Sequence, residues 1–283
     1  MMNLLFQVCQ NLNKNKAMCR LLVCPKNFSQ EEAIDILLEM EGKNTDGTGF
    51  CYIKNNQFVV EKYPYSLSRV LRKNKNFLLH MPYNGPTVIH LRSSTHGANN
   101  INNTHPFIIN NRISVIHNGV FHDSEILRLA LSKFVKFDGE TDSEIGAWLI
   151  DLIGPEKFSK EIDMAGVFIV LHINGELSVI KTSGQLELNY LPNKSVLISS
   201  ELEYEKYPRA TQALNGYYLF NKNGEYIKHK PTQMFNFERQ FCKSKKLKYI
   251  KINGKEKGKE KDYFYNRLPV HYMHEDFTQS FID

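Results

Sequence analysis

Organised alternation of apolar and polar positions begins at Cys19. The run CRLLVC, broken only by Arg20, predicts a buried strand, whereas residues 1–18 are Asn- and Lys-rich and weakly patterned. Ser29 followed by Glu32 forms a capping box ahead of Ala33, Ile34, Leu37 and Leu38, whose spacing gives one apolar face and a helix over about 30–40. The segment NTDGTG at 44–49 interrupts the chain, and GFCYIKNNQFVVEKY reads as a hairpin turning at Asn55-Asn56. Residues 66–79 have helical spacing, which Pro82, Gly85 and Pro86 end. A short strand at 87–91 runs straight into RSSTHG and an Asn-rich loop that lasts to His105-Pro106.

A second hairpin, 107–109 with 113–116, turns at Asn110-Asn111 and ends in the turn tripeptide His117-Asn118-Gly119. Two helices follow, over about 124–134 and 142–153, the second opened by Thr141 and Glu144 as a capping box. From Gly166 the pattern changes to strands. GVFIVLHINGELSVIKT is two runs about Asn174-Gly175, VLISSE is a third, and GYYLFNKNGEYIKH turns at Asn223-Gly224. Patterning fades after Pro231. This order implies layered α and β structure in one domain over 19–230, with a leader at 1–18 and an appendage at 231–283.

Composition narrows the picture only slightly. The longest apolar run is eight residues, Met164 to Leu171 counting Gly166, against the roughly 20 that a membrane span needs, so no transmembrane helix is expected. The opening residues make a poor secretory signal, and five cysteines, an odd number, suit a reducing compartment, so the expected location is the cytoplasm. The net charge of +6 is local: nine Lys and two Glu lie between Lys243 and Lys261, and the remainder is nearly neutral. That Lys-rich stretch reads as a solvated tail rather than a nucleic-acid contact.

Chemistry-bearing candidates sit where apolar strands end. Arg92 closes a buried strand, so its guanidinium needs a partner, either an internal carboxylate or a ligand. Asn118-Gly119 reads first as a turn, but the pair can also offer a side-chain amide and a backbone N–H to a developing oxyanion. Asp142, by itself, is an ordinary first-turn carboxylate. No cysteine pair has metal-site CxxC spacing, and no metal or cofactor is called for. Cys19 stands apart because Met18 precedes it. If the mature chain starts at Cys19, a free α-amine, with a reference pKa of about 7.7–8.0, can act as base for the thiol on its own residue.

These segments, in this order, resemble the class II glutamine amidotransferase domain, an N-terminal-nucleophile hydrolase. The resemblance is carried by MCRLLV at 18–23, NTDGTGF at 44–50, HLRSSTHG at 90–97, NTHPF at 103–107, HNGVF at 117–121 and GETDSEI at 139–145, and continues loosely to about Lys230. It implies a four-layer αββα sandwich of two antiparallel sheets between helical layers. It also implies that Cys19 attacks the glutamine side-chain amide, that the Asn118 side chain and Gly119 N–H form the oxyanion hole, and that Arg92 and Asp142 hold the α-carboxylate and α-ammonium. Thr95 and His96 would line the same pocket.

Departures from the family pattern bear on activity. Eighteen residues precede Cys19, so the amine requires a later start or cleavage; Ser93 stands where the sugar-phosphate enzyme most similar in this motif has Trp, and KTSGQLEL lacks an Arg often found there. About 53 residues follow Lys230, too few for an ammonia-using domain, so a separate ammonia-accepting synthase is the expected partner. The expected activity is release of ammonia from glutamine; the alternatives are hydrolysis of another γ-glutamyl amide or a catalytically silent amino-acid-binding module that retains its leader.

Overall fold

A computed structural model of the protein describes residues 18–74, 85–94, 97–121, 124–203 and 205–231. The chain divides into two units, Met1–Met234 and Phe235–Asp283, and every described residue lies in the first. In chain order the elements are β1 (Arg20–Cys24), α1 (Gln30–Glu41), β2 (Gly47–Lys54), β3 (Gln57–Tyr63), α2 (Leu67–Lys73), β4 (Thr87–Arg92), β5 (Phe107–Ile109) and β6 (Ile113–Val120). There follow α3 (Ser124–Leu131), α4 (Asp142–Ile153), α5 (Pro155–Glu161), β7 (Ala165–His172), β8 (Leu177–Lys181), β9 (Glu187–Tyr190), β10 (Val196–Ser199), β11 (Ala210–Gln212), β12 (Gly216–Phe220) and β13 (Tyr226–Lys230).

The strands form two sheets, ordered β11-β9-β10-β1-β4-β2-β3 and β13-β12-β8-β7-β6-β5, with every strand pairing antiparallel. Two-residue periodicity assigns the faces. Leu21, Val23, Cys51 and Val88 of the first sheet meet Ile116, Val167, Ile169, Leu171, Val179 and Phe220 of the second in one dry layer between the sheets. The alternate positions Leu22, Cys24, Phe50, Tyr52, Ile89 and Leu91 turn outward to Ala33, Ile36, Leu37 and Met40 of α1. On the far side α4 and α5 cover the second sheet, where the Phe158 ring meets Phe168 edge-on at 5.4 Å. The result is the expected four-layer αββα sandwich. Burial of both faces of β1, β4 and β7 explains why these strands read as nearly continuous apolar runs.

Local signals behave as their chemistry dictates, with departures at the two capping boxes, two helix ends and one turn. Asn55 and Asn56 both take positive φ, as the tight hairpin between β2 and β3 demands. The Ser29 Oγ accepts the Glu32 N–H at 3.3 Å, but the Glu32 carboxylate accepts from the Tyr207 hydroxyl at 2.8 Å. Thr141 makes no side-chain cap bond; Glu144 instead accepts the N–H groups of Asp138 and Gly139 at 2.8 and 2.9 Å, so the second predicted capping box is replaced by a loop clamp. The helix expected over 66–79 ends at Lys73, and the one expected to reach Phe134 ends at Leu131. The predicted turn at His117-Asn118-Gly119 is strand: β6 continues to Val120 against β7.

Candidate active site

One end of the layer between the sheets is polar. At that end β1 begins, β4 ends at Arg92 opposite Gly47 of β2, and the last residues of β6 approach from the second sheet. Cys19 lies immediately ahead of β1. Its thiol donates to the Ser93 carbonyl at 3.5 Å and its sulfur accepts the Ser93 N–H at 3.4 Å. Burial pushes this thiol above its ordinary pKa; the Ser93 N–H and the Arg92 charge pull it back, and the Asp142 carboxylate pushes it further up. Arg92 and Asp142 therefore act on the same sulfur from opposite signs. In the full chain the Met18 carbonyl accepts a bond from Arg20 Nη1 at 2.9 Å, and Arg20 also pairs with Glu201 at 3.3 Å.

Arg92 is 3% exposed. Its Nη1 donates to the Ala98 carbonyl at 3.3 Å and Asn99 Oδ1 at 3.1 Å, and its Nη2 to the Gly97 carbonyl at 3.4 Å. The loop after β4 is thus wrapped around the guanidinium. Asp46 fastens the same loop, its two oxygens accepting the Ser94 N–H at 2.8 Å and Asn99 Nδ2 at 3.1 Å. Its charge also helps to hold Arg92 ionised against the cost of burial. Thr95 and His96 lie outside the described residues.

Across the gap, Asn118 and Gly119 end β6. Gly119 sits opposite Gly166 of β7, with φ of +154° and +142° respectively. A Cβ on Gly119 would meet the Ala165 carbonyl at 2.1 Å, and one on Gly166 would meet the Asn118 carbonyl at 2.3 Å, so neither position admits a side chain. Gly166 directs both of its backbone polar groups toward the far side: its N–H donates to Thr182 Oγ1 and its carbonyl accepts the Thr182 N–H. Its mate Gly119 then faces it as a close, non-hydrogen-bonded pair, which directs the Gly119 N–H away from β7 toward the edge beyond the end of β5. Asp142, at the start of α4, closes this side. Its Oδ2 accepts the Phe121 N–H at 2.9 Å and its Oδ1 accepts from Ser143 Oγ at 3.4 Å.

Five of the seven candidate residues, Cys19, Arg92, Asn118, Gly119 and Asp142, therefore come to one end of the sandwich. Sequence reasoning gave no site role to Asp46, Asn99, His90, His117 or Ser143, and noted Ser93 only as a departure from the family pattern. A signal existed for His90: it occupies an inward phase of the run TVIHLR, where an imidazole among apolar neighbours needs a partner. No comparable signal exists for Ser93, which acts through its backbone, or for Asn99, placed by an irregular loop.

No family model matches the chain. In fold it is similar to the glutamine phosphoribosylpyrophosphate amidotransferase from B. subtilis complexed with ADP and GMP, with a TM-score of 0.62 and 16% identity over 76% of this chain and 49% of that one. It is similar as well to a glutamine aminotransferase class-II domain protein from Silicibacter pomeroyi, with a TM-score of 0.50 and 12% identity, covering 76% of this chain and 99% of that one. These likenesses show a shared fold, the αββα sandwich of two antiparallel sheets between helices.

Sequence relatives include sugar-phosphate aminotransferases. The chain is 35% identical over 133 residues to the glutamine–fructose-6-phosphate aminotransferase (isomerizing) of Wigglesworthia glossinidia brevipalpis, covering 43% of this chain and 21% of that protein. It is 25% identical over 229 residues to a probable glutamine–fructose-6-phosphate aminotransferase of Acanthamoeba polyphaga mimivirus, covering 74% of this chain and 38% of that protein. The chain is thus similar in sequence to part of these aminotransferases, and its match spans between 21% and 38% of the length of these two curated relatives.

Proposed function

We propose that the protein, once Cys19 is its first residue, hydrolyses the side-chain amide of glutamine. The Cys19 thiol gives its proton to its own α-amine and its sulfur bonds to the amide carbon. The oxygen of the tetrahedral species rests on the Asn118 side-chain amide and the Gly119 N–H. Collapse breaks the C–N bond, ammonia leaves with the proton, and water then cleaves the thioester to glutamate and restores the thiol. Arg92 and Asp142 hold the α-carboxylate and α-ammonium, which excludes simple amides lacking both charges. The observation that carries this reading is the seat of the Cys19 sulfur on the Ser93 backbone, beside Arg92 and within the field of Asp142, at one end of a sandwich similar in fold to that of an amidotransferase.

Ammonia would pass to a separate acceptor; a γ-glutamyl amide with another leaving amine fits the same chemistry. Thr95 and His96 are proposed to complete the pocket, in a domain over 19–230 flanked by the 1–18 leader and the 231–283 appendage. We place the protein in the cytoplasm, where the free thiols of Cys19, Cys24 and Cys51 stay reduced. No described helix is long and apolar enough to cross a membrane.

The test is glutamate release from glutamine by protein whose mass confirms Cys19 at its N-terminus. Turnover that disappears in Cys19→Ala supports the reading, and absence of turnover with glutamine and γ-glutamyl amides alike overturns it. A second reading draws on the bond from Arg20 to the Met18 carbonyl, which holds the residue ahead of Cys19 in place. A chain that keeps its leader binds the amino acid without hydrolysing it, and intact-mass measurement on protein from its own host separates the two.

A further inference from the structure

The most unusual cluster outside the groups already assigned is a set of three buried imidazoles, His90, His105 and His117, beneath the floor of the site. His105 stacks on His90 at 4.0 Å and meets Phe107 edge-on at 4.7 Å. His90, on β4 of the first sheet, reaches across the dry layer: its Nε2 lies 3.0 Å from the His117 carbonyl on β6 of the second. A carbonyl only accepts, so Nε2 carries the proton. His90 Nδ1 has no hydrogen-bond partner among the described residues, as suits the unprotonated nitrogen of a neutral ring, and burial holds this imidazole down to about 3.

The place of that carbonyl gives the bond its meaning. β5 pairs with β6 through Phe107↔Val115 and Ile109↔Ile113, and its ladder ends there. The next backbone groups of β6 facing the same edge belong to His117 and then Gly119, because in a strand every second residue points the same way. His90 thus takes up the His117 carbonyl where β5 leaves off, one step before the Gly119 N–H. The outer face of the same residue is fixed as well. The His117 ring stacks on Phe168 at 3.9 Å and its Nδ1 lies 2.9 Å from Ser143 Oγ, which in turn contacts Asp142.

We propose that His90 is a positioning residue for the amide hydrolysis: its Nε2–H, crossing between the sheets, fixes the His117–Asn118 peptide and so aims the Asn118 amide and the Gly119 N–H at the developing oxyanion. The inference rests on the activity proposed above. A misaimed oxyanion donor weakens transition-state binding and leaves ground-state contacts at the α-carboxylate and α-ammonium intact, so the signature is in kcat.

The experiment uses protein beginning at Cys19, comparing His90→Phe, which removes the donor, with His90→Gln, whose amide nitrogen can occupy the Nε2 position. His90→Phe lowers kcat for glutamine by about 30-fold or more with KM within about threefold, and His90→Gln recovers most of that loss. The rate of Cys19 alkylation by iodoacetamide, a reaction that forms no oxyanion, stays unchanged in both. If His90→Phe fails to fold, His90→Asn replaces it, since its shorter amide cannot reach the carbonyl. The proposal is overturned if kcat is retained without the donor, if glutamine at the position gives no recovery, or if kcat, alkylation rate and melting temperature fall together. A wild-type protein with no turnover sinks the activity itself, whereas an active wild type with an equally active His90→Phe sinks only the role of His90.

Discussion

At the scale of single residues, the site is held by backbone as much as by side chains. Gly119 and Gly166 face each other so closely that alanine at either must push a carbonyl aside in a conformation that L side chains rarely adopt. Gly119→Ala and Gly166→Ala should each cost at least about 2 kcal/mol, read as a fall in the urea midpoint, whereas Gly184→Ala, also at positive φ but with nothing within 4 Å, should cost less. Arg92→Lys keeps the charge and loses the planar fork that engages Ala98, Asn99 and Gly97. Under the proposed activity the KM for glutamine should rise about 10- to 100-fold; an unchanged KM would remove Arg92 from substrate recognition. Of these residues, Arg92 stood out in the sequence as a charge closing a buried strand and Cys19 as the residue after Met18, whereas Asp142 by itself looked like an ordinary first-turn carboxylate and was singled out only through the resemblance. The Gly119–Gly166 contact was not legible, since pairing partners 47 residues apart leave no local trace and Asn-Gly imitates a turn.

At the scale of elements, α4 does the most positioning. It carries Asp142 and Ser143 at its first turn, and Gly146 one turn on lets the Phe168 ring lie against the helix backbone, where a Cβ would meet the ring at 2.5 Å. Gly146→Ala should therefore lift this helix off the sheet at a cost of about 1–3 kcal/mol and weaken the Phe121–Asp142 bond. Thermal denaturation and glutamine KM should move together, and a melt unchanged within error would contradict the close packing. By contrast Ser29→Ala, which deletes one cap bond far from the site, should cost about 1 kcal/mol and leave KM alone. Helix α1 and the Asn-Asn hairpin were readable because periodicity, caps and turn residues are local. Short strands β9 and β11 were missed because pairing with distant strands, not propensity, decides them, and α2 ends at Lys73, six residues short of the expected 79.

At the scale of the molecule, the three buried histidines make acid the weak point. His90 titrates near about 3 when folded against 6.5 when exposed, so between those values the unfolded chain binds more protons and stability rises with pH. His105 and His117 are displaced in the same direction by burial. Stability should be fully present above about pH 6.5 and fall as pH drops toward 3, with a slope of about 1.4 kcal/mol per pH unit for each histidine. Urea midpoints that stay level from pH 7.5 to 5 would contradict neutral burial; His105→Phe should flatten the slope. The layer order was legible from the succession of strands and helices, but the inter-sheet bond from His90 was not, because no sequence pattern pairs β4 with β6. One further consequence follows from where β1 lies, between β4 and β10, with Leu21 bonded to Ser200 across 179 residues. On a ribosome adding about 5–20 residues per second, the nucleophile's strand waits on the order of 10–40 s for its last neighbour. Any protease or aminopeptidase that bares the cysteine amine has that interval of synthesis in which to act on an end not yet walled in.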